Sequence, residues 1–170
     1  MQQLNLQSLL EVLSSEKLTL EFARTCFDHL SVDVRDLAPY TFFRDAAYTR
    51  NLIFKNEYFE LLLICWHKGV MTPVHDHNHS FGLMYGVQGR LLEEVFPIVT
   101  PGIEMKRSMS REISEGCYTV ITDKIGAHRL KNITDGQSIS LHLYVGPVRH
   151  CHTYSLRDAK RIFRSLRYST

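Results

Sequence analysis

Long apolar runs are missing from this chain of 170 residues. No stretch approaches the roughly 20 consecutive apolar residues that a membrane-spanning helix needs, so no membrane partner is expected. The start, Met1 to Leu6, has neither the basic stretch nor the small-residue cleavage site of a signal peptide, and a cytoplasmic location is the expectation. Cysteine is sparse: Cys26, Cys65, Cys117 and Cys151 lie far apart and form no Cys-x-x-Cys pair. That pattern argues against a zinc ribbon and a disulfide scaffold and leaves reduced thiols. A strong charge of one sign is also absent, the formal net charge being +2. The basic surplus gathers in Arg157, Lys160, Arg161, Arg164 and Arg167; spaced around an amphipathic helix, these read as a solvated face, and no nucleic-acid partner is expected. Gly-rich nucleotide fingerprints, repeats, linkers and low-complexity segments are lacking too.

What is present is the composition of a globular protein, 44% hydrophobic and 22% charged, at a length that fits a single domain, residues 1–170, with a core of its own. Leu6, Leu9, Leu10 and Leu13 recur at helical spacing, and after a break at Ser14-Ser15 so do Leu20, Phe27 and Leu30. Two short helices therefore open the chain, within about residues 4–45. From about Tyr58 the period changes to short strand-like runs: Tyr58–Trp66, Gly82–Gln88, Arg90–Phe96, Cys117–Thr122 and Ser138–Val145, parted by turn signals at Gly89, Pro101-Gly102, Glu115-Gly116 and Asp135-Gly136. Many short strands without intervening helices indicate an antiparallel sandwich or barrel, placed at about residues 50–153. Ser155-Leu156-Arg157-Asp158 resembles a capping box, and Leu156, Ala159, Ile162, Phe163 and Leu166 follow at helical spacing, so a closing helix is expected at about 155–167.

Eight of the nine histidines fall after residue 66, and three make the run His75-Asp76-His77-Asn78-His79. Residues i and i+2 of a strand share a side, so His75 and His77 can offer two imidazoles to one interior point. A third, His128, follows Gly126-Ala127 at the head of another strand-like segment. Imidazole suits iron, zinc, copper and nickel alike, so a metal is expected without its identity. Cupins commonly place a Glu shortly after such a His pair, yet here Asn78–Gly82 offers no carboxylate. Three neutral ligands keep the metal's full positive charge and favour an anionic bidentate substrate such as a thiolate. His79 shares the parity of His75 and His77, but a surface or outer role is expected for it.

Ser138–Val145 alternates strictly, with Ile139, Leu141, Leu143 and Val145 on one face and Ser140, His142 and Tyr144 on the other. The second face is either a solvated edge or a chain of hydrogen bonds in which the imidazole fixes the phenol.

Taken together, Tyr48-Thr49-Arg50-Asn51, Leu63–Trp66, Pro73–His77, Val87-Gln88-Gly89, Gly126–Arg129 with Asn132, and Ser140–Tyr144 with Cys151-His152 resemble the cysteine dioxygenase family. The resemblance runs from about Tyr48 to His152. It implies a mainly β fold, the small cupin (a double-stranded antiparallel β-barrel), with Fe(II) on His75, His77 and His128 and with no nicotinamide, flavin or 2-oxoglutarate. It further implies that Arg50 and Tyr144 hold the substrate carboxylate with support from Tyr48, that Ser140, His142 and Tyr144 take part in catalysis, and that both atoms of O2 are added to the sulfur of L-cysteine to give cysteine sulfinic acid, in cysteine catabolism and taurine metabolism. Relatives that prefer 3-mercaptopropionate carry Gln in place of Arg50, so the Arg favours cysteine. The chain departs from the family in two places: Gly82 stands where animal enzymes carry the Cys that is crosslinked to the site Tyr, and Val145-Gly146-Pro147 where Ser-Pro-Pro is usual. The alternatives are a dioxygenase of another small thiol (3-mercaptopropionate or cysteamine), a non-catalytic metal-binding cupin, or a three-histidine zinc hydrolase. A monomer or weak homo-oligomer acting on small molecules is expected.

Overall fold

The computed structural model describes residues 2–15 and 18–170. Two α-helices open it, α1 (Leu6–Ser15) and α2 (Leu20–Asp28), followed by a 3-10 segment over Val34–Tyr40. The Ser14-Ser15 pair, expected as the break between the two helices, forms the last two residues of α1, while Glu16 and Lys17 lie outside the described residues. Thr19 starts α2 by accepting a hydrogen bond from the Phe22 amide, which satisfies a donor that the first helical turn leaves free.

Eleven strands follow: β1 (Tyr48–Lys55), β2 (Phe59–Trp66), β3 (Val74–His75), β4 (Phe81–Gln88), β5 (Leu91–Phe96), β6 (Met109–Ile113), β7 (Tyr118–Ile121), β8 (Ala127–Asn132), β9 (Ser138–Val145), β10 (His150–Tyr154) and β11 (Arg161–Ser165). They form two antiparallel sheets in the orders β1-β2-β9-β4-β7 and β11-β10-β3-β8-β5-β6. Ile64, Trp66, Met84 and Ile121 of the first sheet pack against Leu91, Val95, Ile113 and Leu130 of the second, so the sheets face each other. The outer face of the first sheet buries Leu61, Leu63, Leu83, Leu141 and Leu143 beneath Leu9, Leu13 and Phe27 of the helices. Because β2 is covered on both sides, its run Phe59–Trp66 is buried throughout and, apart from Glu60, reads as apolar sequence without alternation. The two facing sheets are the small cupin fold anticipated above.

One expected element does not form. Instead of a closing helix over about 155–167, the chain makes one turn at Leu156–Asp158 and returns as β11 against β10, pairing Thr153 with Ile162 and Tyr154 with Arg161. The capping-box residues do bond locally, the Ala159 amide to the Ser155 carbonyl and the Lys160 amide to Asp158. Ala159 then adopts φ +49, which ends the turn, and the free edge of β10 supplies backbone partners for the residues that follow. The helical spacing of the apolar residues was thus outweighed by an open sheet edge. Residues 48–55, 109–113 and 150–154 also carry strands that sequence periodicity left unmarked.

Candidate metal centre

His75 and His128 lie directly opposite each other on β3 and β8. His77 falls just past the end of β3, so strand parity alone does not aim it. Asp123 does so by accepting the His77 and His79 amides, which fixes the tight turn. Gly126 sets the approach to His128: at φ +138 its missing side chain leaves room for the Phe96 carbonyl, 2.5 Å from where a Cβ would stand, a backbone that other residues resist. The outcome is three imidazoles whose ligand atoms all lie within 4.8 Å of one another.

Their electrostatics suit a cation. Burial holds His75 neutral, pushed down to about 3, and drives His77 well below the usual imidazole value. His75 Nδ1 donates to the Pro73 carbonyl and His128 Nδ1 to Glu93, which leaves the Nε2 of each as the free ligand atom. Among the described residues, His128 Nε2 and both ring nitrogens of His77 are buried without a hydrogen-bond partner. Two buried imidazoles and a half-buried third meeting at one point, with the facing nitrogens of His77 and His128 unsatisfied by protein among the described residues, fit a metal ion. His79 is different: 93% of its side chain is exposed, and it stands apart from the cluster as expected.

A carboxylate does serve the site, from behind. Glu93 on β5, fully buried, accepts from His128 Nδ1 at 2.7 Å and from Arg111 Nε at 2.6 Å. Burial pushes its carboxyl up, but the hydrogen bonds from His128 and Arg111 outweigh that and keep it below the ordinary range. It went unnoticed in the sequence although a signal was there: Leu91 and Val95 point inward, and parity puts Glu93 with them.

The polar face of β9 is a connected chain. Trp66 Nε1 donates to Ser140 Oγ at 2.9 Å, Ser140 Oγ meets His142 Nε2 at 2.8 Å, and His142 Nδ1 meets Tyr144 OH at 3.1 Å. Indole can only donate, so the serine proton goes to His142 Nε2, the imidazole carries its own proton on Nδ1, and it donates to the phenol oxygen. Tyr144 then keeps its proton for a group outside the chain. Burial keeps His142 neutral and raises the Tyr144 phenol to about 12, so both enter as uncharged groups.

His75, His77, Trp66, His142 and Tyr144 border a cavity of about 370 Å³ with Tyr48, Arg50 and Cys151, and His128 and Ser140 stand behind them. Tyr48 stacks at 5.3 Å on Trp66, and the Arg50 guanidinium lies 5.8 Å from the Tyr144 ring centre. Arg50 Nε and one terminal nitrogen are buried without a hydrogen-bond partner among the described residues, while Glu60 stands 3.7 Å off. Gly82 pairs with Tyr144, and a Cβ there would sit 3.0 Å from Cε1 of its ring. The residues singled out in the sequence for metal, substrate or catalysis therefore line or back one space. Glu93, Glu60, Trp66 and Asp123 join them unforeseen. The four cysteines are free, and burial pushes Cys151, in the cavity wall, up to about 11, a protonated thiol.

Residues 3–157 match the family model described as Cysteine dioxygenase type I. The chain is similar to cysteine dioxygenase type 1 of Homo sapiens, with 30% identity over 154 residues that cover 89% of this chain and 77% of the human one. Among solved structures it resembles TT1209 from Thermus thermophilus, with a TM-score of 0.54 and 17% identity over 66% of this chain and 95% of that one. It also resembles a protein with a double-stranded beta-helix domain from Klebsiella pneumoniae, with a TM-score of 0.52 and 11% identity over 76% and 95% of the two chains. The likeness to these two structures is one of fold.

Proposed function

This chain belongs to the cysteine dioxygenase family, and from that premise we propose that it oxidises L-cysteine to cysteine sulfinic acid with O2, using Fe(II) held by His75, His77 and His128. The observation that carries the reading is the pairing of two unsatisfied features at one cavity: a cluster of three imidazoles whose facing nitrogens on His77 and His128 are buried without a partner, and an Arg50 guanidinium with buried donors that meet no acceptor. A ligand with a thiol at one end and a carboxylate at the other satisfies both.

Fe(II) at the imidazoles would favour the thiolate over the thiol and bring it together with dioxygen. The chain's own groups do the rest. Arg50 offers a planar fork to the carboxylate, which a point charge could not match. Tyr144, kept neutral by burial and held by His142, donates its proton into the cavity, towards the carboxylate. Trp66 and Ser140 fix the tautomer on which that donation depends. Overall one S–H and the O=O bond break, two S–O bonds form, and sulfur gives up four electrons. No further reductant enters, and one proton leaves with the acid.

The test is metal analysis of the purified protein together with product identification after incubation with L-cysteine and O2. Iron near one per chain, one O2 consumed per thiol and cysteine sulfinate as product are expected. Arg50→Gln should raise KM for cysteine while leaving cysteamine, which lacks a carboxylate, unaffected. Zinc in place of iron, or no oxygen uptake by the iron-loaded protein with L-cysteine, would refute the reading, and uptake with 3-mercaptopropionate or cysteamine alone would move it to that thiol.

A further inference from the structure

β1 is the edge strand of its sheet, and an edge leaves backbone donors and acceptors free. Residues 169–170 occupy that edge beside Arg50. The Ser169 amide donates to the Arg50 carbonyl at 2.7 Å, the Arg50 amide donates to Ser169 Oγ at 3.1 Å, and the Leu52 amide donates to the Thr170 carbonyl at 3.3 Å. Both backbone groups of Arg50 are thus held by one residue, 119 positions away.

The neighbouring Tyr168 acts on the side chain through Glu60. Glu60 is fully buried on β2, and its Oε1 is 3.7 Å from the Arg50 guanidinium. That carboxylate is the natural competitor for the donors Arg50 would turn to a substrate. Its oxygens are engaged elsewhere: Oε1 accepts the Val148 amide at 3.0 Å, and Oε2 accepts the Tyr168 hydroxyl, which itself accepts from Lys55 Nζ at 2.6 Å. Glu60 therefore balances the buried charge of Arg50 without taking its hydrogen bonds, and Arg50 Nε and a terminal nitrogen stay unpartnered among the described residues. A buried guanidinium normally finds acceptors, so keeping its donors free requires the nearest carboxylate to be occupied.

We propose that Tyr168 and Ser169 are positioning residues for Arg50, Tyr168 by occupying the Glu60 carboxylate and Ser169 by clamping the Arg50 backbone, so that the segment 168–170 sets the affinity for thiols that carry a carboxylate. This rests on the reading of Arg50 given above. Loss of the Tyr168 hydroxyl leaves Oε2 with the Lys55 ammonium alone, 3.8 Å away, so the carboxylate can turn to accept from the Arg50 fork and draw it away from the cavity.

The test is anaerobic titration of the Fe(II)-loaded full chain with L-cysteine and with cysteamine, for the wild type, Tyr168→Phe, Ser169→Ala and Arg50→Gln. Tyr168→Phe should weaken cysteine binding about tenfold, the equivalent of part of one charge-assisted hydrogen bond. Ser169→Ala should weaken it less, and cysteamine binding should not change in either. Both substituted side chains are on the surface or half-buried, so the fold should persist. If Arg50→Gln weakens cysteine binding while Tyr168→Phe and Ser169→Ala do not, or if they weaken cysteine and cysteamine alike, the positioning role is overturned and the anchor stands. If Arg50→Gln leaves cysteine binding unchanged, the anchoring role fails and the positioning role with it.

Discussion

Glu93→Gln separates the site's metal affinity from its geometry. Gln is nearly isosteric with Glu, and its carbonyl oxygen can still accept from His128 Nδ1, now 2.7 Å from Glu93 Oε1. What it removes is the negative charge behind the imidazole, and its amide would face Arg111 Nε, which now donates at 2.6 Å. A hydrogen bond to a charged group contributes about 1.5–3 kcal/mol, and partners that orient metal ligands typically change metal affinity about 10- to 100-fold. The two figures agree, since about 1.4 kcal/mol is one factor of ten. Glu93→Gln is therefore expected to weaken Fe(II) binding by one to two orders of magnitude, read by competition with a chelator under anaerobic conditions. Arg111 can turn to water, because a third of its side chain is exposed, so thermal stability of the metal-free protein should fall far less than metal affinity does. Unchanged metal affinity would refute the reasoning, and so would a metal-free protein that no longer folds, which would make Glu93 a structural group first.

Three further substitutions probe the cavity wall. Tyr144→Phe should lower turnover of cysteine far more than iron content if, as proposed, the hydroxyl serves the substrate, since its hydrogen bond is to His142 and not to His75, His77 or His128; equal loss of both would make Tyr144 structural. Gly82→Ala should lower turnover at unchanged iron content, since its new methyl group would meet the Tyr144 ring at 3.0 Å and push the phenol off His142; steady-state kinetics beside metal analysis decides. His142, held neutral by burial, makes stability depend on pH. Its folded pKa lies well below the ordinary value of about 6.5, so above pH 6.5 neither state takes the proton, and below it the unfolded chain alone does. Stability is then lost as pH falls, by about 2 kcal/mol between pH 7 and pH 5 from this group. The metal-free His142→Gln variant should lose that much less over the same interval in denaturant titrations, and an identical pH slope in both proteins would contradict it.

Legibility in the sequence followed the range of the forces involved. β9 was readable to the residue because both its faces are buried against different partners, the helices outside and the cavity inside, so its alternation records both. The His75 and His77 pair was visible as local spacing, and His128 through its glycine-led turn. The carboxylates were not, because Glu93 and Glu60 matter through neighbours on other strands, and a single strand's sequence does not say what stands beside it. β11 was misread for the same reason. Its residues carry helical spacing, but the vacant edge of β10, on the far side of the turn, decides the outcome. β1 hid differently: most of its residues are half-buried, so the strand is neither buried enough to be apolar nor exposed enough to alternate.

The charge arrangement explains why a site with no coordinating carboxylate still needs two buried ones. A dication on three neutral imidazoles beside an unpaired guanidinium would be strongly unfavourable in a dry cavity. Glu93 compensates the first from behind His128 and Glu60 the second from behind Arg50, each fully buried and each with its hydrogen bonds directed away from the cavity. Neither carboxylate faces the ligand, so the cavity itself keeps a positive field and its attraction for an anion. Moving either carboxylate one layer inward would satisfy the cation and abolish the reason for a thiolate or carboxylate to enter. Val95→Asp tests this directly, because Val95 lies on the inward face of β5, opposite His128. The variant should bind Fe(II) at least as well as the wild type yet take up L-cysteine about tenfold more weakly or worse. Equal cysteine affinity in the two iron-loaded proteins would show that the placement of these charges is incidental.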